Sequence, residues 1–216
     1  MEKQIKAVVF DMDGTLIDTE RIYFPIEQKI IREMGYEVSF EEMLNFRSLN
    51  GRLMEERFHE LCSKDFDFQY FCDTRDKNFK EYIDKNGIPK KPGADEILAY
   101  LRENDYPVAV ATATYLDLAL KYLKRIGFDN KFDRVISVSN VKNSKPKPDV
   151  YLEVCRQLGM EPKHCMAVED SDNGVRSAYA AGMRVVMVPD LAPPMEEVRH
   201  MIYGIADTLA DVKKFL

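Results

Sequence analysis

The feature that most limits the fold of this chain is a repeated alternation of short apolar runs with helical patterns after residue 92. Apolar runs typical of buried strands occupy residues 107–112, 135–138, 164–168 and 185–188, and helical periodicity occupies residues 94–104, 116–126, 149–158 and 173–181. Residues 205–215 leave room for one more strand and helix. Such alternation predicts an α/β fold, in which a doubly wound, Rossmann-like parallel sheet lies between two helical layers.

The first part of the chain interrupts this pattern. Residues 7–10 form another apolar run, so Asp11 is expected at the carboxyl end of a buried strand. Between residues 22 and 86 strand-like runs are absent, and apolar side chains such as Ile22, Ile26 and Ile30 recur at helical spacing. We therefore expect a core formed by residues 1–20 and 92–216, with a helical domain inserted at residues 21–91.

Charge and hydropathy restrict the possible partners. The formal net charge of −6 offers no general attraction for nucleic acid or for an anionic membrane. No apolar run is long enough to span a bilayer, and the first residues lack the apolar region of a signal peptide. The four cysteines show no C-x-x-C spacing, which favours a reducing compartment. The expectation is a cytoplasmic protein that acts as a monomer on a small molecule.

Polar side chains gather where the predicted strands end, which is where such sheets bind their ligands. They are Asp11, Asp13, Thr112, Lys145, Glu169 and Asp170. Taken singly, each has an ordinary explanation as a polar turn, a helix cap or a solvated charge. Together, however, four carboxylates would repel one another unless a cation neutralised them. Oxygen ligands without histidine or thiolate favour Mg²⁺, and the lysine and threonine are suited to holding a phosphate.

The same residues carry a resemblance to a known family. DMDGTL at residues 11–16, Thr112, KPKPD at residues 145–149 and VEDS at residues 168–171 resemble the four motifs of the haloacid dehalogenase superfamily. One such motif arises easily by chance, whereas four in order, each at the expected element boundary, are specific as a set. The inserted helical segment resembles the α-helical cap of the branch that contains β-phosphoglucomutase and the sugar-phosphate phosphatases.

The resemblance implies a role for each motif residue. Asp11 would be the nucleophile that becomes phosphorylated, and Asp13 the general acid and base. Thr112, the amide of Ala113 and Lys145 would bind the phosphoryl group. Mg²⁺ would be held by the side chains of Asp11, Glu169 and Asp170 and by the backbone carbonyl of Asp13. Thr19 would help to position Asp13.

In the inserted segment the pattern is less specific. Contacts with substrate are expected from some of six residues: Thr19, just before the insert, and Tyr23, Arg47, Arg52, Arg75 and Lys77 within it. Cationic side chains on helices are, however, more often simply solvated. Tyr23 occupies the position at which the family's mutase has a histidine, and this departure favours hydrolysis over mutase chemistry.

The sequence thus predicts a Mg²⁺-dependent phosphatase of small phosphorylated metabolites, above all sugar phosphates. A β-phosphoglucomutase is the alternative within the same superfamily. A signalling module that merely accepts phosphate on an aspartate is a third hypothesis. Such receiver modules are smaller, lack a helical insert and carry the aspartate after a middle strand.

Overall fold

The computed structural model describes residues 5–44, 46, 49 and 51–216. The strands are β1 (Ala7–Phe10), β2 (Val108–Thr112), β3 (Arg134–Ser137), β4 (Cys165–Glu169), β5 (Arg184–Met187) and β6 (Gly204–Ile205). The helices are α1 (Glu20–Glu33), α2 (Phe40–Leu44), α3 (Gly51–Leu61), α4 (Phe68–Asn86), α5 (Ala94–Glu103), α6 (Leu116–Arg125), α7 (Asp149–Leu158) and α8 (Asp172–Ala180). Short 3₁₀ turns occupy Val138–Asn140, Pro162–His164, Glu196–Met201 and Leu209–Phe215.

All six strands are parallel and stand in the order β3-β2-β1-β4-β5-β6. Strand β1 therefore lies in the centre, and the chain changes direction across the sheet between β1 and β4. The carboxyl ends of neighbouring strands diverge at such a switch point and leave a crevice for a ligand. The α/β, doubly wound fold predicted from the alternating pattern is thus confirmed.

The strand residues explain why both faces are covered. Val8 and Phe10 pack into one apolar cluster, and Ala7 and Val9 pack into another on the opposite face. This two-residue alternation, with all four side chains buried, is that of a strand enclosed between two helical layers. Helices α5 and α6 cover the first face, and α7 and α8 cover the second.

In the order of the chain, helices α1 to α4 come after β1 and before the other strands, as the helical periodicity predicted. They enclose an apolar cluster of their own, which includes Ile30, Ile31, Met43, Phe58 and Phe71. Helices α1 and α4 also pack against the sheet domain, because Ile22 and Phe79 belong to the cluster that contains Phe10. No helix in the described part of the chain is both long enough and apolar enough to cross a membrane.

The C-terminal segment differs from a full strand and helix. Strand β6 has two residues, and a 3₁₀ turn from Leu209 to Phe215 replaces the helix. Leu209 and Val212 are nonetheless fully buried against the core. A short strand suffices here because β6 is an edge that pairs only with β5.

Candidate active site

The carboxyl edge of the sheet brings together residues from distant parts of the sequence. Asp11 follows β1, Glu169 ends β4, Asp170 comes next, and Lys145 lies in the loop before α7. All four are almost completely removed from solvent. The backbone fixes Asp11 directly, since its N–H donates to the carbonyl of Val168 at 2.9 Å.

Lys145 is enclosed by carboxylates. Its Nζ donates to Oδ1 of Asp11 at 2.5 Å and to Oε1 of Glu169 at 2.6 Å. Burial alone would lower the pKa of Lys145, but the charges of the two carboxylates outweigh it and raise the pKa above its usual value. Lys145 is therefore a permanent cation in the floor of the site.

Tyr151, on α7, completes this buried group. Its hydroxyl donates to Oε1 of Glu169 at 2.5 Å, and its ring lies 5.1 Å from Nζ of Lys145. The other oxygen of Glu169 accepts the N–H of Asp170 at 3.2 Å. Sequence reasoning missed Tyr151, although its place six residues after Lys145, on an apolar helix face, was a usable signal.

Asp11 is incompletely compensated by the protein. Burial raises the pKa of its carboxyl, Lys145 opposes the shift, and Glu169 and Asp13 add to it. Among the described residues, Oδ2 of Asp11 has no hydrogen-bond partner. One carboxylate oxygen from each of Asp11, Glu169 and Asp170 lies within 4.8 Å of the others. Three converging oxygen donors with an excess of negative charge fit a hard divalent cation such as Mg²⁺.

Two glycines allow the carboxylates to come so close to the backbone. A Cβ atom at Gly14 would collide with the carboxylate of Asp170, and Gly14 also has a left-handed φ of 80°. A Cβ atom at Gly174, in the first turn of α8, would lie on the carboxylate of Glu169. Both positions therefore need glycine for space, and Gly14 needs it for conformation as well.

Asp13 is held by threonine hydroxyls. Thr19 donates to its Oδ1 and Thr114 to its Oδ2, both at 2.7 Å, and Thr112 lies 3.5 Å from Oδ2. Burial raises the pKa of Asp13, and the hydroxyl donors oppose that shift. Sequence reasoning anticipated the contact with Thr19 but missed Thr114, two residues beyond the predicted strand end.

Thr112 and Ala113 lie where the phosphate-binding motif was expected. The Thr112 hydroxyl is buried and accepts the N–H of Thr114 at 3.0 Å. This turn directs Ala113 and Thr114 into the wall of a cavity of about 420 Å³. Asp11 and Asp13 line the same cavity from the sheet domain.

The helical insert contributes other residues to the lining of this cavity. Tyr23 lines it and stacks on Phe79, with ring centroids 3.9 Å apart. Burial raises the pKa of the Tyr23 phenol, and the neighbouring Tyr122 and Asp13 add to the effect. Arg75 also lines the cavity, with its guanidinium 5.5 Å from the Tyr23 ring centroid and 2.8 Å from Asp76.

The structure does not bring Arg52 or Lys77, two further predicted substrate residues, to the described part of this cavity. Arg52 is exposed on α3, where its Nε lies 2.6 Å from Oε1 of Glu56. Lys77 is exposed on α4 and does not line the described part of the cavity. Both positions follow from the direction in which each side chain points around its helix axis, since neighbouring residues face different sides of a helix. Arg47 lies outside the described residues.

A sequence model of the haloacid dehalogenase-like hydrolases matches residues 8–188, and the chain belongs to that family. It is 33% identical to the "Probable pseudouridine-5′-phosphatase" of Drosophila melanogaster, over 98% of this chain and 93% of the relative. It is 29% identical to the phosphorylated carbohydrates phosphatase of Thermotoga maritima, over 98% and 90%. The crystal structure of CbbY from Rhodobacter sphaeroides in complex with phosphate superposes with a TM-score of 0.79, covering 96% of each chain at 25% identity. The predicted superfamily is thereby confirmed, and the chain is an enzyme whose relatives are phosphatases.

Proposed function

We propose that the chain is a Mg²⁺-dependent phosphatase that hydrolyses small phosphorylated metabolites, in particular sugar phosphates, through an aspartyl-phosphate on Asp11. The carrying observation is the arrangement of Asp11 and Asp13 on one cavity wall. Asp11 has an oxygen without a hydrogen-bond partner among the described residues, whereas Asp13 is held by two hydroxyls. One carboxylate is thus suited to attack and the other to proton transfer.

In the first half-reaction, Oδ2 of Asp11 attacks phosphorus and the bond from phosphorus to the leaving alcohol breaks. Asp13 gives its proton to that alcohol oxygen, so no alkoxide is released. In the second, Asp13 takes a proton from water as the water oxygen attacks the same phosphorus, and the bond from phosphorus to Oδ2 of Asp11 breaks. Inorganic phosphate leaves, and Asp11 and Asp13 return to their starting states.

Lys145 and the metal ion would support both steps. Lys145 already contacts Asp11, and it would compensate the negative charge that phosphate brings to the site. Asp11, Asp170 and the backbone carbonyl of Asp13 would hold Mg²⁺, with Glu169 acting directly or through water. When bound, the ion shields the nucleophile from the charge of the phosphate.

The helical segment 21–91 is proposed as the cap that selects the substrate. It contributes Tyr23 and Arg75 to the lining of the cavity that Asp11 and Asp13 also line. Two relatives are named as a phosphorylated carbohydrates phosphatase and a probable pseudouridine-5′-phosphatase. A hydroxyl-rich monophosphate is accordingly the substrate class for this cavity.

The test is phosphate release from a panel of sugar phosphates and nucleoside monophosphates, with Mg²⁺ and with EDTA. We expect multiple turnover with Mg²⁺, none with EDTA, and none for Asp11→Asn. Asp105→Asn, an exposed substitution at a left-handed position that asparagine also tolerates, is the matched control.

A second assay separates hydrolysis from the alternatives. Conversion of β-glucose 1-phosphate to glucose 6-phosphate with a bisphosphate primer would reveal mutase activity. Robust isomerisation with little phosphate release would contradict the proposal. A single turnover that stops at phosphorylated protein would instead identify a signalling module.

A further inference from the structure

A group of charged residues lies outside the active site, where the helical insert joins the sheet domain. Two linkers make this junction: residues 14–19 before α1 and residues 87–93 after α4. They run side by side in opposite directions, since Asp18 N–H donates to the Pro89 carbonyl and Lys91 N–H donates to the Leu16 carbonyl, each at 2.9 Å. The chain therefore passes between the core and the insert through one paired strip of backbone.

Four charged side chains fasten this strip to the core, and we call them the linker clamp: Asp18, Arg21, Lys91 and Asp190. Nζ of Lys91 lies 2.6 Å from Oδ1 of Asp190 and 3.6 Å from Oδ1 of Asp18. Nη2 of Arg21 lies 3.1 Å from the same Asp190 oxygen. Asp190 follows β5 in the sheet domain, whereas Asp18 and Lys91 lie on the two linkers and Arg21 lies at the start of α1.

Burial distinguishes the pair formed by Asp190 and Lys91 from surface ion pairs. The Asp190 side chain is 0% exposed and that of Lys91 is 10% exposed. Desolvation offsets much of the attraction in such a pair, so its main effect is to fix which groups meet and at what distance. Lys90, the neighbour of Lys91, forms an exposed pair with Asp95 on α5 and offers a contrast on the same linker.

The first linker connects the clamp to the chemistry. Asp13 precedes it, and Thr19, whose hydroxyl holds Asp13 at 2.7 Å, ends it. Tyr23 follows one turn later on α1 and lines the cavity. A rotation of this linker about the core would carry α1 and Tyr23 away from the cavity wall.

We propose that Asp190 and Lys91 are positioning residues, which hold both linkers at the angle that places the helical insert over the site. The kinetic part of this inference rests on the proposed phosphatase function. The clamp matters most for substrates whose leaving group must contact the insert. A small activated ester, which needs only the sheet-domain residues, depends on it much less.

The kinetic test compares Asp190→Asn, Lys91→Met and their double variant, with Lys90→Met as the matched control. We expect each clamp variant to lose about tenfold or more in kcat/KM for the best sugar phosphate, because a displaced insert contacts the leaving group poorly. For p-nitrophenyl phosphate we expect less than about a threefold change, and the double variant should lose no more than either single variant. Lys91→Arg should retain most of the activity that Lys91→Met loses. Equal losses on both substrates, or no loss on either, would overturn the inference.

Amide hydrogen exchange tests the same inference without activity. The amides of Asp18 and Lys91 should exchange faster in Asp190→Asn than in the native protein, and Lys90→Met should leave them unchanged. Unchanged exchange in Asp190→Asn would contradict the clamp even if the kinetic losses were seen. If the native protein released no phosphate at all, the proposed function would fail while this measurement still decided the role of Asp190. Should Asp190→Asn not fold, the exchange of Lys91→Met replaces it.

Discussion

Nζ of Lys145 lies 2.5 Å from Oδ1 of Asp11, although 134 residues separate them in the chain. Lys145→Met would leave Asp11 and Glu169 buried with one compensating charge fewer. We expect kcat to fall by at least about 100-fold and the free energy of unfolding by about 3–5 kcal/mol. Chemical denaturation and phosphate release measure the two effects, and Lys142→Met, an exposed change on the same loop, is the control. A near-normal rate would contradict the role given to Lys145.

Mg²⁺ should stabilise the folded protein, because an ion that binds only the folded state shifts the unfolding equilibrium. The three converging oxygens of Asp11, Glu169 and Asp170 predict a rise in Tm on addition of Mg²⁺. Asp170→Asn should lose both this rise and the activity, whereas Asp105→Asn should keep both. Thermal unfolding with and without Mg²⁺ provides the measurement. An equal rise in Asp170→Asn would place the ion elsewhere.

Thr114 should lower the pKa of Asp13, the acid that protonates the leaving group. Its hydroxyl lies 2.7 Å from Asp13 and opposes the rise that burial causes in the pKa of Asp13. Thr114→Val removes that donor, so the pKa should rise further and Asp13 should stay protonated to higher pH. Transfer of phosphate to Asp11 needs the protonated form, so the alkaline limb of kcat/KM against pH should move upward. Thr19→Val should shift it in the same direction, and a downward shift in either variant would exclude Asp13 as the acid.

The sequence permitted much of this site to be predicted because parallel strands end at a common edge. Once Asp11, Thr112 and Glu169 were assigned to strand ends, their meeting followed from topology. The sequence did not predict the roles of Thr114 and Tyr151. The direction of the Thr114 side chain depends on a turn, and that of Tyr151 depends on how α7 is oriented about its axis. For the same reason spacing alone could not show that Arg52 faces solvent while Arg75 faces the cavity. The two-residue β6 could not be foreseen either, since an edge strand needs few ladder bonds.

Gly174→Ala tests how tightly Glu169 is enclosed. Alanine usually stabilises a helix by roughly 0.5–1 kcal/mol relative to glycine. Here the added Cβ would lie on the Glu169 carboxylate and displace it from Lys145 and Tyr151. We therefore expect the opposite sign, with a lower Tm and a loss of activity. A Tm that rises as it would in an ordinary helix would show that Glu169 can move without consequence.

Glu27, on α1, should make stability depend on pH. Its side chain is 13% exposed, and burial raises its pKa from 4.5 to about 7, with Arg75 opposing the shift and Asp76 adding to it. Between these values the unfolded chain releases the proton while the folded protein retains it. The free energy of unfolding should therefore fall as pH rises through this window and stay lower above it.

Glu27→Gln removes this ionisation and leaves Arg75 paired with Asp76. The decrease in the free energy of unfolding between pH 5 and pH 8 should then be smaller than in the native protein, by roughly 1–3 kcal/mol. Urea denaturation at a series of pH values measures it. Glu33→Gln, which is 59% exposed at the end of the same helix, should follow the native curve. If Glu27→Gln and the native protein showed an identical pH dependence, the prediction would be wrong. Glu27 would then have the same pKa in the folded and unfolded protein, and its burial would not disfavour the charged form.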